Sequence, residues 1–288
     1  MKITVTGANG FIGKRLVKSL RDMSHEVIGL DLPEFDMSGW CADDPAYCEL
    51  LKGTECIYHL AVMNLEHCKK DPHGCIKNNI VGTLNVMELV ARLGIRRAIY
   101  SSASSVYGNS SRQPVDEMES TKPLSLYGVT KLASENIVQL YQKNFSTTTM
   151  IFRFSNVYGP GQVNGLIPSV ISKLIRGDEI TVTGDGNQTR DFVYVDDVVG
   201  ILVRALNHPM YSILCNLGSG KSVSVNTVVD LCSKCLGTIP AICRQPFEID
   251  RNKYCADISL LKRLYPGFVP TDFEHGIKLT VEAWIKEK

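Results

Sequence analysis

Several features that would mark a specialised protein are missing from this 288-residue chain. No apolar run approaches the roughly 18 residues that cross a bilayer. The opening Met1-Lys2-Ile3-Thr4-Val5 is already strand-like and lacks the basic and apolar regions of a secretory leader. Charge of one sign is missing too: 31 Lys and Arg face 30 Asp and Glu, a net +1, and the two signs are interspersed. That balance argues against a surface dedicated to nucleic acid or to an anionic membrane. Repeats and low-complexity tracts are absent. Ten cysteines are present but scattered. Cys232-Ser-Lys-Cys235 has C-x-x-C spacing, yet it lies in 228–236, an amphipathic helical pattern, with no second pair at zinc spacing; Cys41 and Cys48 add nothing to it. The expectation is a reduced, cytoplasmic, soluble protein with plain buried or half-buried thiols and no metal.

What is present is a core-forming composition, 44% hydrophobic, sufficient for one domain or two closely joined ones. Short apolar runs at 3–6, 26–30, 55–60, 98–101 and 148–154 alternate with helical patterns at 12–23, 76–93 and 127–144. Strands separated by helices of this length predict βαβ units and an α/β fold with a doubly wound parallel sheet. After Asn156 the glycine-rich stretches Gly159-Pro160-Gly161, Asn164-Gly165 and Gly184-Asp185-Gly186-Asn187 predict a smaller, irregular lobe. The expected division is therefore 1–155 and 156–288, with 193–207 packing back on the first part.

Thr6-Gly7-Ala8-Asn9-Gly10-Phe11-Ile12-Gly13 follows the first strand and opens the first helix. Gly7, Gly10 and Gly13 permit a tight turn, close approach of backbone to a pyrophosphate and close helix–strand packing, with the helix N-terminus facing the phosphates. Asp31 closes the next strand, where a carboxylate holds both ribose hydroxyls and repels a 2′-phosphate. Leu32-Pro33 follow it rather than Arg or Lys, so NAD is expected over NADP. Only 32–35 separate Asp31 from Asp36-Met37, read as a following strand end against the adenine, with the usual crossover helix trimmed or absent.

Tyr127-Gly-Val-Thr-Lys131 sets a phenol and an ammonium one helical turn apart on one face. A nearby Lys⁺ and an oxidised nicotinamide stabilise phenolate, which suits Tyr127 to general acid–base work. Thr6 to Gly13, Asp31, His59-Leu60-Ala61, Asn79, the serine-rich run to Tyr107-Gly108 and Tyr127…Lys131 together resemble the extended short-chain dehydrogenase/reductase superfamily. Arg153-Phe-Ser-Asn156-Val-Tyr-Gly-Pro160, the stretch from Gly184 through Arg190 to Asp197, and Asn216-Leu-Gly-Ser-Gly220 resemble its nucleotide-sugar branch, the UDP-glucose 4-epimerase-like epimerases and dehydratases.

The resemblance implies a Rossmann-type first domain, a nucleotide-sugar-binding second lobe, an NAD-dependent enzyme and a homodimer built on the helices at 76–93 and 127–144. Within it, Tyr127 is the acid–base group at a sugar hydroxyl and Lys131 binds the nicotinamide ribose. Gly7, Asn9, Gly10, Phe11, Ile12, Gly13, Asp31, Asp36, Met37, Leu60, Ala61, Asn79, Ser101 and Phe154 fall at cofactor positions. Ser102, Ala103, Asn156, Leu166, Arg190 and Arg251 fall at substrate positions, Arg190 as a planar clamp on phosphate. Two departures stand out. The hydroxyl that bonds the reacting sugar oxygen would fall at Ala103, so Ser102, Ser104 or Ser105 has to replace it, with Ser102 and Ser104 the catalytic candidates. An arginine usual a few residues before Asp250 reads Pro246-Phe247, leaving Arg244 or Arg251 as a second phosphate contact.

The 4,6-dehydratases carry an Asp-Glu pair, and the decarboxylases a Glu, where this chain has Ser104-Ser105; elimination without an acid and a base is disfavoured. The expected reaction is 4-epimerisation of a nucleoside-diphosphate sugar by transient oxidation at C4. The alternatives are NAD(P)H-dependent reduction of a 4-keto sugar nucleotide and, outside enzymology, a non-catalytic dinucleotide-binding regulator.

Overall fold

The computed structural model describes residues 1–39, 44–209, 211–246 and 253–286. These fall into two compact units. The first comprises Met1–Gly108, Ser120–Phe154 and Val199–Cys215; the second comprises Asn109–Glu119, Ser155–Val198 and Asn216–Lys288.

The first unit is built on β1 (Lys2–Thr6), β2 (Glu26–Leu30), β3 (Cys56–His59), β4 (Arg97–Ala103) and β5 (Thr148–Phe154), with the strand Ile213–Leu217 at the far edge. The order is β2-β1-β3-β4-β5 and then Ile213–Leu217, and the pairs β1/β2, β1/β3, β3/β4 and β4/β5 are parallel. Strands β3 and β5 are buried at every residue, as expected of a parallel sheet covered on both faces. The helices are α1 (Phe11–Asp22), α2 (Pro45–Leu51), α3 (Leu65–Lys70), α4 (Pro72–Ile76), α5 (Gly82–Arg92) and α6 (Leu126–Asn144). Val86, Leu89 and Val90 of α5 and Val138 of α6 join Ile57, Tyr100 and Ile151 of the sheet in one core cluster. The order reverses at β1, which has β2 on one side and β3 on the other, and the carboxyl ends of strands at such a switch point form a ligand crevice. Arg97 donates from its buried guanidinium to the carbonyls of Ala205, Leu206 and His208, so it caps the end of the helix Val195–Ala205 and ties the returning segment to the sheet.

Three expectations are corrected. The continuous helix over 76–93 is broken: α4 ends at Ile76, a wide π-turn runs over Lys77–Val81, and α5 begins at Gly82. Ile76, Lys77, Val81 and Gly82 all keep helical dihedrals, and no proline or turn signal in the sequence marks the widening. Asp36-Met37 is not a strand end; Met37–Gly39 form a 3₁₀ turn because the Asp36 carboxylate accepts from Ser38 N and Oγ at 2.9 and 2.6 Å. The trimmed connection is confirmed, with no helix between β2 and Met37. The fully reduced reading fails at one place: Cys68 and Cys75 are joined by a disulfide. Asp71 ends α3 and accepts from Gly74 N to start α4, and this tight corner brings the two Cα atoms to 4.8 Å, within bridging range. Cys232, buried, and Cys235, half-buried, are free thiols, while Cys41 lies outside the described residues.

The second unit carries a three-stranded sheet of Ser222–Ser224, Thr189–Tyr194 and Asn156–Tyr158 and a parallel pair of Ile180–Thr183 and Ile242–Gln245. Helices Leu166–Arg176, Val225–Leu236 and Phe273–Lys286 pack on one apolar cluster around Tyr158, Ile171, Phe192 and Val228. The Tyr158 ring meets Phe192, Tyr194 and Phe273, and its hydroxyl occupies the space a side chain at Gly276 would need.

Candidate active site

The glycine turn after β1 is held to β2 by Gly7 N and Ala8 N, which donate to Leu30 O at 2.8 and 3.3 Å. Gly7 has φ +72°, and a Cβ there would lie 2.7 Å from Ala61 N and 2.9 Å from the Leu60 carbonyl carbon. A Cβ on Gly13 would run into the Gly7 carbonyl oxygen. Gly10 caps α1 without a side chain, so the amides of Phe11 and Ile12 begin a helix whose N-terminus is open to an anion. Asp31, half-buried at the end of β2, accepts from Asn9 N at 2.7 Å and from Leu32 N at 2.8 Å. Two glycines that leave no room for a side chain, Gly7 and Gly13, a helix N-terminus and a carboxylate on the adjacent strand fit the pyrophosphate and ribose of NAD. Gly7→Ala is expected to cost about 2 kcal/mol or more in stability, from the left-handed backbone and the clash at Ala61, and to weaken NAD binding at least about tenfold. Denaturant titration and calorimetric NAD titration measure the two effects.

Under the turn, Leu60 N donates to Thr6 O at 3.2 Å and Ala61 N to Thr6 Oγ1 at 3.3 Å. His59 is buried, with Nδ1 2.8 Å from Thr6 Oγ1 and Nε2 3.0 Å from Thr83 Oγ1. Thr83 already donates its proton to Asn79 O at 2.6 Å, so His59 must donate through Nε2 and accept at Nδ1. Burial first, and the Lys131 charge second, bring the His59 pKa down to about 3 from 6.5. The folded value is depressed, so below pH 6.5 the unfolded chain binds the extra proton. This contribution to stability is complete above pH 6.5 and is lost progressively as pH falls toward 3. His59→Gln should therefore flatten the dependence of stability on pH across 4–6 by up to about 1.4 kcal/mol per pH unit, read from urea midpoints.

Asn79 lies on the π-turn, and its amide is used entirely inside the protein. Oδ1 accepts from Met63 N at 2.8 Å; Nδ2 donates to Met63 O at 3.1 Å and to Thr130 Oγ1 at 3.0 Å. Its carbonyl also accepts from Ser134 Oγ at 2.8 Å. Asn79 thus fixes the chain just after β3 and fastens it to α6.

Helix α6 starts at the N-cap Ser125, which accepts from Gly128 N at 3.1 Å. A Cβ at Gly128 would meet Ser105 O at 2.8 Å, so glycine lets the Tyr127 end of the helix sit against the serine-rich segment. Tyr127 is half-buried, and desolvation pushes its pKa up to about 12. Lys131, one turn on, is fully buried with Nζ 4.5 Å over the Tyr100 ring. Desolvation brings Lys131 down to about 7, opposed by the charge of Glu135. Glu135, 1% exposed, accepts from Arg153 Nε at 2.9 Å and Nη2 at 2.7 Å and also from Ser102 Oγ. Arg153 in turn lies 4.7 Å over the Tyr107 ring.

The serines that β4 delivers therefore have different assignments. Ser101 Oγ donates to His59 O at 3.1 Å, and the proton of Ser102 is held by Glu135. Ala103 pairs with Phe154 across β4 and β5. Ser104 is buried at the start of a 3₁₀ turn, and Ser105 Oγ is buried without a hydrogen-bond partner among the described residues. Asp36 is held below the usual carboxylate range by its bonds from Ser38, and the Met37 carbonyl accepts from Asn85 Nδ2 at 2.7 Å.

In the second unit, Asn156 is exposed at the start of its strand and Leu166 is the first residue of its helix. Arg190 is half-buried and donates to Thr189 O at 2.9 Å. Beside it Asp191 is fully buried, accepting from the amides of Ser219, Gly220 and Ala256 at 2.7, 2.9 and 3.1 Å, so it anchors the Gly218-Ser219-Gly220 loop. Arg251 lies outside the described residues.

Residues 3–215 match the family model described as the NAD dependent epimerase/dehydratase family. The chain belongs to that family. A putative UDP-glucose 4-epimerase of Methanocaldococcus jannaschii is 33% identical, over 99% of this chain and 98% of its own. Among solved structures, UDP-glucuronic acid 4-epimerase from Bacillus cereus, in complex with UDP-glucuronic acid and NAD, superposes with a TM-score of 0.91 at 28% identity, covering 100% of both chains. UDP-glucose 4-epimerase from Thermotoga maritima, with UDP-glucose, superposes with a TM-score of 0.90 at 28% identity, covering 100% of this chain and 99% of its own.

In this family member the sequence pointed to the cradle and the Tyr–Lys pair but not to the residues behind them. Glu135 carried a readable signal, since it stands one turn beyond Lys131 on the same helix. Thr83 and Thr130 carried none, because a threonine that completes a buried hydrogen-bond network looks like any other helix threonine. Among the described residues no group of His, Cys, Asp and Glu could hold a metal, and no helix is long and apolar enough to cross a membrane.

Proposed function

We propose that the chain is an NAD-dependent 4-epimerase of UDP-sugars. The observation that carries this reading is Tyr127 and Lys131 one turn apart at the head of α6, in the unit that holds the nucleotide cradle, with serines and no carboxylate after Ala103. Tyr127 removes the proton from the sugar O4 and later returns it. Desolvation keeps the ligand-free phenol neutral, the form that donates, and the Lys131 ammonium favours the phenolate that accepts. Bound NAD supplies the hydride acceptor and donor at C4 and a positive charge beside the phenol. Epimerisation then needs only that the 4-keto sugar turn its other face before reduction. Dehydration and decarboxylation at C5 or C6 require further acid–base groups, and Ser104 and Ser105 occupy those places. Arg190 and Asn156 hold the diphosphate, as the resemblance implies, and two chains associate through α5 and α6. Val86, Leu89 and Val90 are used in the chain's own core, so the homodimer rests on outward residues such as Val129 and Leu140.

Purified protein should contain bound NAD. It should interconvert UDP-glucose, UDP-N-acetylglucosamine or UDP-glucuronate with the respective C4 epimer without added cofactor. Stoichiometric NADH consumption with a 4-keto sugar nucleotide, and no epimer from any of the three, would favour the reductase instead. Light scattering should give twice the chain mass.

A further inference from the structure

We propose that the Cys68–Cys75 pair is a redox-modification site, a disulfide whose oxidised state holds Asn79 on Met63 and so keeps the chain after β3 in the form that receives the dinucleotide. The inference rests on the NAD reading above for its consequence, and on geometry alone for its existence. The bridge joins α3 to α4 at the corner made by Asp71. Asn79 Nδ2 packs on both sulfurs, 3.7 Å from Cys68 and 3.6 Å from Cys75, while donating to Met63 O and Thr130 Oγ1. The Cys68 sulfur also lies 3.3 Å from Met63 O, the same carbonyl that Asn79 holds.

The chemistry of the two states differs at that carbonyl. Sulfur in a disulfide has no proton and leaves Met63 O to Asn79. A dithiol reductant opens the S–S bond by thiolate exchange: two electrons and two protons arrive, two thiols form, and the reductant leaves as its own disulfide. The Cys68 thiol then becomes a donor aimed at Met63 O and competes with the Asn79 amide. The two sulfurs also move from bonding to van der Waals separation on either side of that amide. Asn79 is fastened through Thr130 to the turn of α6 between Tyr127 and Lys131, so its displacement reaches both the chain next to Ala61 and the head of the helix. Both cysteines are buried, at 1% and 0% exposure, and exchange therefore proceeds through local opening of α3 and α4, helices of six and five residues with little stability of their own.

The test starts with protein purified without reductant, denatured and alkylated. Peptide masses should show Cys68 and Cys75 joined and Cys232 and Cys235 modified. Folded, ligand-free protein treated with dithiothreitol should then expose both thiols and speed hydrogen exchange at the Met63 amide about tenfold. Its NAD dissociation constant should rise about five- to tenfold, as for loss of one buried hydrogen bond. The double variant Cys68→Ser/Cys75→Ser should sit at the reduced values and ignore the reductant. Alkylation of both residues before reduction, or a bridge that survives dithiothreitol in the folded protein, would overturn the site. So would verified reduction that leaves Met63 exchange and NAD affinity unchanged. If the serine pair does not fold, the wild-type arms decide alone. Thiol accounting and amide exchange are read on ligand-free protein, so failure of epimerisation would count against the reaction and not against this site.

Discussion

Tyr127→Phe is expected to lower epimerisation by about 10²- to 10⁴-fold, the usual contribution of a positioned acid–base group, while the protein stays folded and binds NAD. The substitution removes one oxygen. It leaves the ring that packs at the head of α6, the Ser125 cap and the Gly128 approach to Ser105 as they are. No described hydrogen bond of the fold uses the Tyr127 hydroxyl, so its loss leaves no buried partner unsatisfied. What disappears is the group proposed to take and return the O4 proton, and no other phenol or carboxylate on α6 stands one turn from Lys131 on the Tyr127 side. The loss should therefore fall on kcat with little change in KM, the pattern of an interaction made only in the transition state. Full activity in this variant would remove the mechanism proposed here.

Glu135→Gln is expected to cost about 3–5 kcal/mol of stability, a large share of what a protein of this kind possesses. The reason is the Arg153 guanidinium, 5% exposed, whose two bonds to Glu135 at 2.9 and 2.7 Å are its described charge compensation. Glutamine fills the same space but removes the negative charge that those two bonds bring to the buried guanidinium. The double variant Glu135→Leu/Arg153→Met removes both charges and should be markedly more stable than the single, because a buried pair is costly to break and nearly neutral to replace. Thermal and urea unfolding of the two variants separate these outcomes. The double variant carries a second, independent consequence. The Glu135 charge raises the Lys131 pKa against desolvation. Without it, Lys131 loses its proton at lower pH, and the alkaline limb of the activity profile should move down. An unchanged profile in a folded double variant would show that Glu135 acts on the fold only.

Much of the fold was legible because its determinants are local. Gly7 is marked by its left-handed turn and Gly13 by the close approach of the Gly7 carbonyl, Asp31 by its place at a strand end, and Tyr127 and Lys131 by the pitch of a helix. Where the determinant lay across the fold, residues alone misled. The helix at 76–93 looked continuous, since a π-turn keeps helical dihedrals and shows itself only as Asn79 meeting Met63 and Thr130. Asp36-Met37 looked like a strand, whereas a hydrogen bond to Ser38 bends it into a turn. Nothing in residues 109–119 announces that they join the second unit; Val115 does so by exchanging backbone hydrogen bonds with Cys255 and Asp257.

Short-range spacing by itself pointed to the α/β alternation, the glycine turn after the first strand and the Tyr127–Lys131 pair, since each is a relation among residues a few positions apart in the chain. The tertiary structure decided the rest of the serine-rich strand end. Ser101 and Ser102 are turned to His59 and Glu135 by β3 and α6, partners 42 and 33 residues away. It also decided the state of Cys68 and Cys75, joined because one capped corner brings two helices together. A hydroxyl or a thiol has the same sequence signature whether it is free, bonded or bridged. Only the three-dimensional position of its partner distinguishes these states.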